Sequence, residues 1–318
     1  MKTLGVGVIG VGFWGSNHAR VYNEIKKARL IGVSDLDKAR AKDLARKFKC
    51  GFYEKNHQLL KDDKIDVVSI CTPTSTHFRI ALQAIENGKH VLVEKPLGRN
   101  LKESVKIVKE AEKKGVKLTV GHIERFNPAV QKLKELVEEG TIGDIILILS
   151  RRVTRWPERI GDVGVVKDSA IHDIDVMRYI LEDDVIRVYA KVGKLKHRFE
   201  DYAEALLHFN KGGTGFIDSN WLTPKKIRNL IVTGSEATAS LDYLSQQISI
   251  ESSKFVKKVR KKWREPLKLE LNHFVEVVLD NKEPCVTGLD GIKAIQICES
   301  IIKSGASGKV INLKPIAI

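Results

Sequence analysis

Three glycines near the N-terminus, Gly10, Gly12 and Gly15, stand in the spacing G-x-G-x-x-G between an apolar run and a segment that suits a helix. Gly10 would make a tight turn, Gly12 would let a pyrophosphate approach the backbone, and Gly15 would let the helix pack on the strand. The following helix N-terminus would offer free N–H groups to the phosphates. Asp35 would accept the ribose hydroxyls of an adenosine and repel a 2′-phosphate. The motif predicts a dinucleotide site that prefers NAD to NADP; a βαβ turn that binds nothing is the alternative.

Apolar runs alternate with helix-forming segments from the N-terminus to Gly121. This alternation predicts a doubly wound parallel sheet with helical crossovers. The predicted strands are residues 4–9, 30–34, 67–71, 90–93 and 116–120, and the predicted helices are residues 16–27, 38–48, 77–87 and 102–113.

The pattern changes after a predicted helix at 128–139, because strand-like runs then follow one another with only a helix at 168–181 between them. Such a pattern is typical of an α+β domain with an open, mostly antiparallel sheet. The fold class is therefore α/β overall, with domains at 1–123 and 124–318, and the last helix and strand could pack back on the first domain. The predicted strands are 145–155, 185–191, 204–209, 215–219, 228–233, 248–251 and 310–313, and the two final helices are 267–279 and 289–304.

The chain is basic, with 55 Lys and Arg against 40 Asp and Glu and a formal charge of +15. The excess suits a nucleic acid, an anionic small substrate or a solvated surface equally well. It is concentrated in Lys254 to Arg264, where Phe255 and Trp263 lie among the cations. A charged edge strand or exposed turn is favoured there over a phosphate-binding strip. No nucleic-acid motif accompanies the segment, so we predict no nucleic-acid partner.

The sequence contains no apolar stretch long enough to cross a bilayer, so we predict no membrane partner. A glycine loop follows Met1 to Leu4 where a signal peptide would have an apolar helix and a cleavage site, which predicts a cytoplasmic protein. The four cysteines, at 50, 71, 285 and 298, form no C-x-x-C pair. We therefore expect neither disulfides nor a metal site.

Two short motifs follow predicted strands of the parallel sheet, where ligands of such sheets bind. Thr72-Pro73-Thr74, with His77 shortly after, would lie beside the adenosine half of the cofactor, although a plain loop with Thr76 as N-cap is equally compatible. Glu94-Lys95-Pro96 would direct a cation towards the nicotinamide; a surface lysine is the alternative. The predicted NAD contacts are Gly10, Gly12, Phe13, Trp14, Gly15, Asp35, Thr72, Pro73, Thr74, His77, Glu94 and Lys95.

Asp168 and His172 are four residues apart in the predicted helix at 168–181. At that spacing both side chains lie on one helix face, and a carboxylate near an imidazole raises its basicity and fixes its orientation. The pair would suit a general base that acts on a hydroxyl. Ordinary helices also carry such pairs.

The glycine loop, Thr72-Pro73-Thr74, Glu94-Lys95-Pro96 and the pattern Asp168-x-x-x-His172-x-x-Asp175 together resemble the Gfo/Idh/MocA oxidoreductase superfamily over nearly the whole chain. The resemblance implies an N-terminal Rossmann domain, bound NAD and a C-terminal domain whose open sheet forms a homodimer or homotetramer. It also implies that Lys95 and His172 are catalytic, that Asp168 assists, and that the Lys95-Pro96 bond is cis.

The segments 121–128 and 159–166 resemble the branch that contains UDP-N-acetylglucosamine 3-dehydrogenases, although Ser169 stands where that branch suggests a leucine. This likeness implies transfer of a hydride from a secondary alcohol of a nucleotide sugar to NAD. Inositol or free-sugar oxidation, and a non-enzymatic dinucleotide-binding regulator, are the alternatives. The candidate substrate contacts are Arg125, Asn127, Arg159 and His172, and Arg125 could instead pair with Glu124 or Asp144 at the surface.

Overall fold

The computed structural model describes residues 3–156, 161–260 and 262–316 and divides into two compact units. Met1–His122 and Leu267–Ile292 form the first unit, and Ile123–Pro266 and Lys293–Ala317 form the second. The sequence-based division assigns 267–292 to the C-terminal domain, whereas the structure groups these residues with the first unit. They pack there because Thr119 Oγ1 donates to the Val286 carbonyl and Gly288 lies against Val108 and Leu118.

The described residues of the first unit form a six-stranded parallel sheet in the order β3-β2-β1-β4-β5-β6 with helices between the strands. Its strands are buried along most of their length, which explains the continuous apolar runs in the sequence. The elements are β1 Leu4–Ile9, α1 Phe13–Glu24, β2 Ala28–Ser34, α2 Lys38–Phe48, β3 Gly51–Tyr53, α3 Asn56–Leu60, β4 Val67–Ile70, α4 Thr74–Glu86, β5 His90–Glu94, α5 Leu101–Lys114 and β6 Leu118–Gly121.

The second unit contains a nine-stranded mixed sheet in the order β14-β13-β12-β11-β7-β10-β9-β8-β15 among the residues that the structure describes. Its strands pair antiparallel except β7 and β10, which run parallel and end at the same edge. After a 3-10 turn at Ile123–Phe126, the remaining elements of the chain are α6 Pro128–Glu138, β7 Ile145–Arg155, a π-helical turn Val166–Ala170, α7 Ile171–Leu181, β8 Val185–Gly193, β9 Tyr202–Phe209, β10 Thr214–Asn220, β11 Leu222–Gly234, β12 Thr238–Asp242, β13 Gln247–Glu251, β14 Val256–Arg260, α8 Pro266–Leu279, α9 Gly288–Ser307 and β15 Ile311–Asn312. Of these, α8 from Leu267 and α9 as far as Ile292 belong to the first unit.

The predicted fold class is confirmed: a Rossmann sheet is followed by an open, mostly antiparallel one. The basic segment supplies β14, the terminal strand of the second sheet, as the edge-strand interpretation predicts. Lysines along an edge discourage pairing with another chain. Within the described residues, every helix is too short or too polar to cross a bilayer.

Candidate active site

The glycine loop between β1 and α1 has the geometry of a dinucleotide cradle. Gly10 has φ of +84°, and a Cβ there would lie 2.6 Å from Thr72 Cγ2. A Cβ on Gly15 would lie 1.7 Å from the Gly10 carbonyl oxygen, so the first turn of α1 packs directly against the turn at Gly10. A Cβ on Gly12 would meet no described atom within 4 Å. The open space beside Gly12, at the N-terminus of α1, fits a pyrophosphate.

The Asp35 carboxylate supports this loop, and its contact with a ribose stays a prediction. Its Oδ2 accepts the Val11 N–H at 2.6 Å, and its Oδ1 accepts the Asp37 N–H at 2.8 Å and a hydrogen bond from Arg40 Nη2 at 3.0 Å.

The predicted helix start at residue 16 is wrong, because α1 begins at Phe13 directly after the loop. Phe13 and Trp14 stand edge to face with ring centroids 5.6 Å apart, and Phe13 is 65% exposed.

The Thr72 loop leads directly into α4, which begins at Thr74 with Pro73 as its N-cap. The alternative that made Thr76 the N-cap is therefore wrong; the Thr76 hydroxyl donates to the Pro73 carbonyl instead. His77 is buried, and its ring nitrogens lie 2.8 Å from the Pro96 carbonyl oxygen and 2.9 Å from that of Thr72. His77 thus connects the loop after β4 with the loop after β5.

Glu94 ends β5, and the Lys95-Pro96 bond that follows is cis, as the family resemblance implies. Glu94 Oε1 lies 3.0 Å from His18 Nε2, and Oε2 accepts the Lys95 N–H at 3.2 Å. Burial raises the pKa of Glu94, but the hydrogen bond to His18 and the charges of His18, Lys95 and His77 lower it on balance. The buried group is therefore a carboxylate that holds the main chain of Lys95.

His18 is fully buried on α1, and none of the motifs identified in the sequence includes it. One signal could have found it: Gly15, His18, Ala19 and Tyr22 follow the helical spacing of a single buried face. A histidine on such a face needs a polar partner, and Glu94 is that partner.

Asp168 lies in the π-helical turn and His172 in the first turn of α7. The predicted helix start at residue 168 is wrong, because the Ile171 N–H donates to the Val166 carbonyl five residues back and α7 begins only at Ile171. Ser169 Oγ lies 3.2 Å from Asp168 Oδ2 and accepts the Trp221 indole N–H at 3.2 Å. The serine, which departs from the related branch, thus orients the carboxylate. Such π-turns are frequent at functional sites.

Two buried bidentate ion pairs anchor α7. Arg152 Nε and Nη2 donate to Asp173 at 2.9 and 3.1 Å, and Arg152 Nη1 donates to Glu124 at 3.0 Å. Burial lowers the pKa of Arg152, yet the charges of Asp173 and Glu124 raise it on balance. Arg125 donates to both carboxylate oxygens of Asp175, at 2.8 and 2.6 Å. These pairs fix the rotation of the helix that carries His172.

The four residues predicted to contact substrate differ in burial and in the partners that the structure gives them. Arg125 is 5% exposed and pairs with Asp175, so its predicted alternative pairing with Glu124 or Asp144 at the surface is wrong. Asn127 is 1% exposed; its side chain caps α6 at the Ala129 N–H and donates to the Tyr243 carbonyl. A substrate role for these two stays a prediction that their contacts do not support. His172 is half-buried on α7, and Arg159 lies outside the described residues.

The candidate residues belong to two units that the structure describes separately. The glycine loop, Asp35 and the loops with Thr72 and Lys95 lie in the first unit, and Asp168 and His172 lie in the second. Convergence of Lys95 and His172 on one substrate atom stays a prediction. No group of His, Cys, Asp or Glu in the described ranges is arranged to hold a metal ion.

Comparison with known families covers both units. Residues 4–122 match the model described as "Oxidoreductase family, NAD-binding Rossmann fold", and residues 130–240 match the Gfo/Idh/MocA C-terminal domain. The chain belongs to the Gfo/Idh/MocA oxidoreductase family. Its membership confirms NAD as the cofactor, which the open space at Gly12 and the carboxylate of Asp35 fit.

Relatives in the Gfo/Idh/MocA family act on sugar-like substrates. The chain is 30% identical to myo-inositol 2-dehydrogenase of Thermotoga maritima, over 98% of this chain and 99% of the relative. It is 30% identical to UDP-N-acetylglucosamine 3-dehydrogenase of Acidithiobacillus ferrooxidans, over 79% of this chain and 77% of the relative. A solved structure of the latter enzyme gives a TM-score of 0.89 at 27% identity and covers 96% of this chain and 99% of that one. The chain is thus an NAD-type sugar oxidoreductase of this family.

Proposed function

We propose that the protein oxidises a secondary alcohol of a sugar ring, with the 3-hydroxyl of UDP-N-acetylglucosamine or of a related nucleotide sugar as its substrate. The observation that carries this proposal is the structural match to UDP-N-acetylglucosamine 3-dehydrogenase along nearly the full length of both chains. The formal charge of +15 suits a diphosphate substrate. The inositol dehydrogenases supply the second candidate, a cyclic polyol, because one of them matches 98% of this chain.

The proposed reaction assigns one task to each polar side chain. When bound, NAD supplies a hydride acceptor, C4 of its nicotinamide. His172 takes the proton of the substrate hydroxyl, and Asp168, held by Ser169, supports the imidazolium that forms. Lys95 stabilises negative charge on the substrate oxygen as the alcohol becomes a ketone.

The substrate can be identified with a direct screen. We expect the purified protein to reduce NAD with UDP-N-acetylglucosamine or its uronic acid and to show lower kcat/KM with myo-inositol and free hexoses. Absorbance of NADH measures the rate, and analysis of the sugar product identifies the carbon oxidised. Turnover of myo-inositol alone would select the cyclic-polyol candidate. Binding of NAD without turnover of any of these sugars would favour a dinucleotide-binding regulator.

We further propose that the open face of the nine-stranded sheet forms a homodimer or homotetramer. Cross-strand neighbours on this face make one apolar row across five strands, and Tyr189 and Leu206 in the row are 48% and 44% exposed. Such a row would be covered in an assembly. The row consists of Tyr189, Leu206, Phe216, Leu149 and Ile231.

Replacing Leu206 with Arg should dissociate the assembly, because a charge would be buried within an apolar interface. Light scattering after size exclusion measures the mass, and we expect a shift to the monomer. Leu195→Arg is the matched control, since Leu195 is 73% exposed on the loop between β8 and β9. An unchanged mass for Leu206→Arg would contradict this interface.

A further inference from the structure

The His77 imidazole faces two hydrogen-bond acceptors at once. Nδ1 lies 2.8 Å from the carbonyl oxygen of Pro96, and Nε2 lies 2.9 Å from that of Thr72. The residue is 1% exposed. A carbonyl oxygen only accepts, and a neutral imidazole carries a single N–H. A neutral ring would therefore place a nitrogen lone pair against an oxygen lone pair, whereas an imidazolium donates at both positions.

The charges around His77 decide whether that second proton is held. Glu94, at the end of β5, has a lowered pKa despite its burial and therefore supplies a carboxylate. The Cys71 thiol, after β4, has its pKa raised well above the ordinary value by burial and stays neutral. His18 Nε2 lies 3.0 Å from the same carboxylate, and the charge of Lys95 also lowers the pKa of Glu94. Burial of the ring disfavours a protonated imidazole, and so does its position in the first turns of α4, where the helix dipole is positive. The two carbonyl oxygens and the Glu94 carboxylate favour the protonated form.

We propose that His77 carries both ring protons in the folded protein and thereby joins the loop after β4 to the loop after β5. Because Pro96 directly follows Lys95, the link holds the main chain from which the Lys95 side chain extends. His77 is then a positioning residue for Lys95, and this part of the inference rests on the proposed function. The inferred charge state of His77 follows from the hydrogen-bond geometry and the surrounding charges, and it does not depend on the proposed function.

The charge state can be read without any substrate. In the NAD-loaded protein with 15N-labelled histidine, long-range 1H–15N spectra distinguish a protonated ring nitrogen from a bare one. At pH 8, above the ordinary histidine pKa of about 6.5, we expect both nitrogens of His77 to be protonated. A single protonated nitrogen on His77 at this pH would overturn the proposal.

The positioning role is tested with His77→Gln, which keeps one amide group but cannot donate to two opposed carbonyls. We expect kcat to fall by about tenfold or more, with a smaller change in KM, because a displaced Lys95 acts mainly on the transition state. His57→Gln is the matched control on α3. If His77→Gln kept the wild-type kcat, the positioning role would be refuted. A wild-type protein that binds NAD and oxidises no sugar would refute the proposed function instead, and the spectra would still decide the protonation of His77.

Discussion

Turnover of the His172→Ala protein is expected to be at least about a hundredfold below that of the wild type, because the variant lacks the group that takes the hydroxyl proton. The affinity for NAD should change little, since His172 lies on α7 of the second unit and the glycine loop lies in the first. Initial rates with saturating NAD and the sugar identified by the screen measure the first effect. Titration of protein fluorescence with NAD measures the second. Loss of turnover with intact cofactor binding would support the assignment of His172 as the base.

Two further variants make this test specific. His57→Ala removes an exposed histidine from α3 and should leave turnover unchanged. Lys95→Met keeps the length of the side chain but removes its charge, and we expect a loss of the same order as for His172→Ala because negative charge on the substrate oxygen loses its stabilising partner. A His172→Ala protein with wild-type kcat would exclude this histidine from the mechanism.

Replacing Gly12 with Ala should weaken NAD binding by at least about tenfold, which corresponds to about 1.4 kcal/mol. The added methyl group would occupy the open space beside the loop, where the pyrophosphate has to approach the backbone. The fold should tolerate the change, since the methyl group meets no described atom within 4 Å and Gly12 has φ of −67°. Calorimetric titration with NAD measures the change in affinity, and thermal unfolding measures the stability of the fold.

Gly161→Ala is the matched control for this prediction, because a Cβ at Gly161 also meets no described atom within 4 Å. We expect this variant to bind NAD as the wild type does. Gly15→Ala provides the opposite comparison: its Cβ would lie 1.7 Å from the Gly10 carbonyl oxygen, so the loop itself must distort. If Gly12→Ala bound NAD with unchanged affinity, the pyrophosphate would have to lie elsewhere.

The elements that sequence patterns predict best are those with local signals. The ends of β1, α2 and β7 agree with the predicted ones, because apolar runs, the Asp37 N-cap and a long alternating segment mark them. The predicted start of α1 at residue 16 lies too late in the chain, because the N-cap of this helix is a glycine of the cofactor loop. The sequence does not predict the π-turn before α7, because the amino-acid pattern at 166–170 is equally compatible with an α-helix.

Most of the polar contacts that organise the site could not be predicted from the sequence. Arg125 and Asp175 are 50 residues apart in the chain, and His18 and Glu94 are 76 apart. No local spacing predicts such a pair, since it depends on how strands and helices pack. From sequence, Arg125 is a candidate for a substrate contact or a surface ion pair; the structure shows that it is buried and paired with Asp175 of α7. Residue type and strand-end position nevertheless located Lys95 and Glu94 correctly at the end of β5.

The double use of Asp35 limits how the choice between the two nicotinamide dinucleotides can evolve or be redesigned. The Asp35 carboxylate would repel a ribose that carries a 2′-phosphate. The same carboxylate accepts the Val11 N–H and so stabilises the loop. A smaller or apolar residue at this position would admit the phosphate and, in the same step, leave that N–H without its acceptor. A productive exchange of cofactor therefore requires a second change that restores an oxygen opposite Val11.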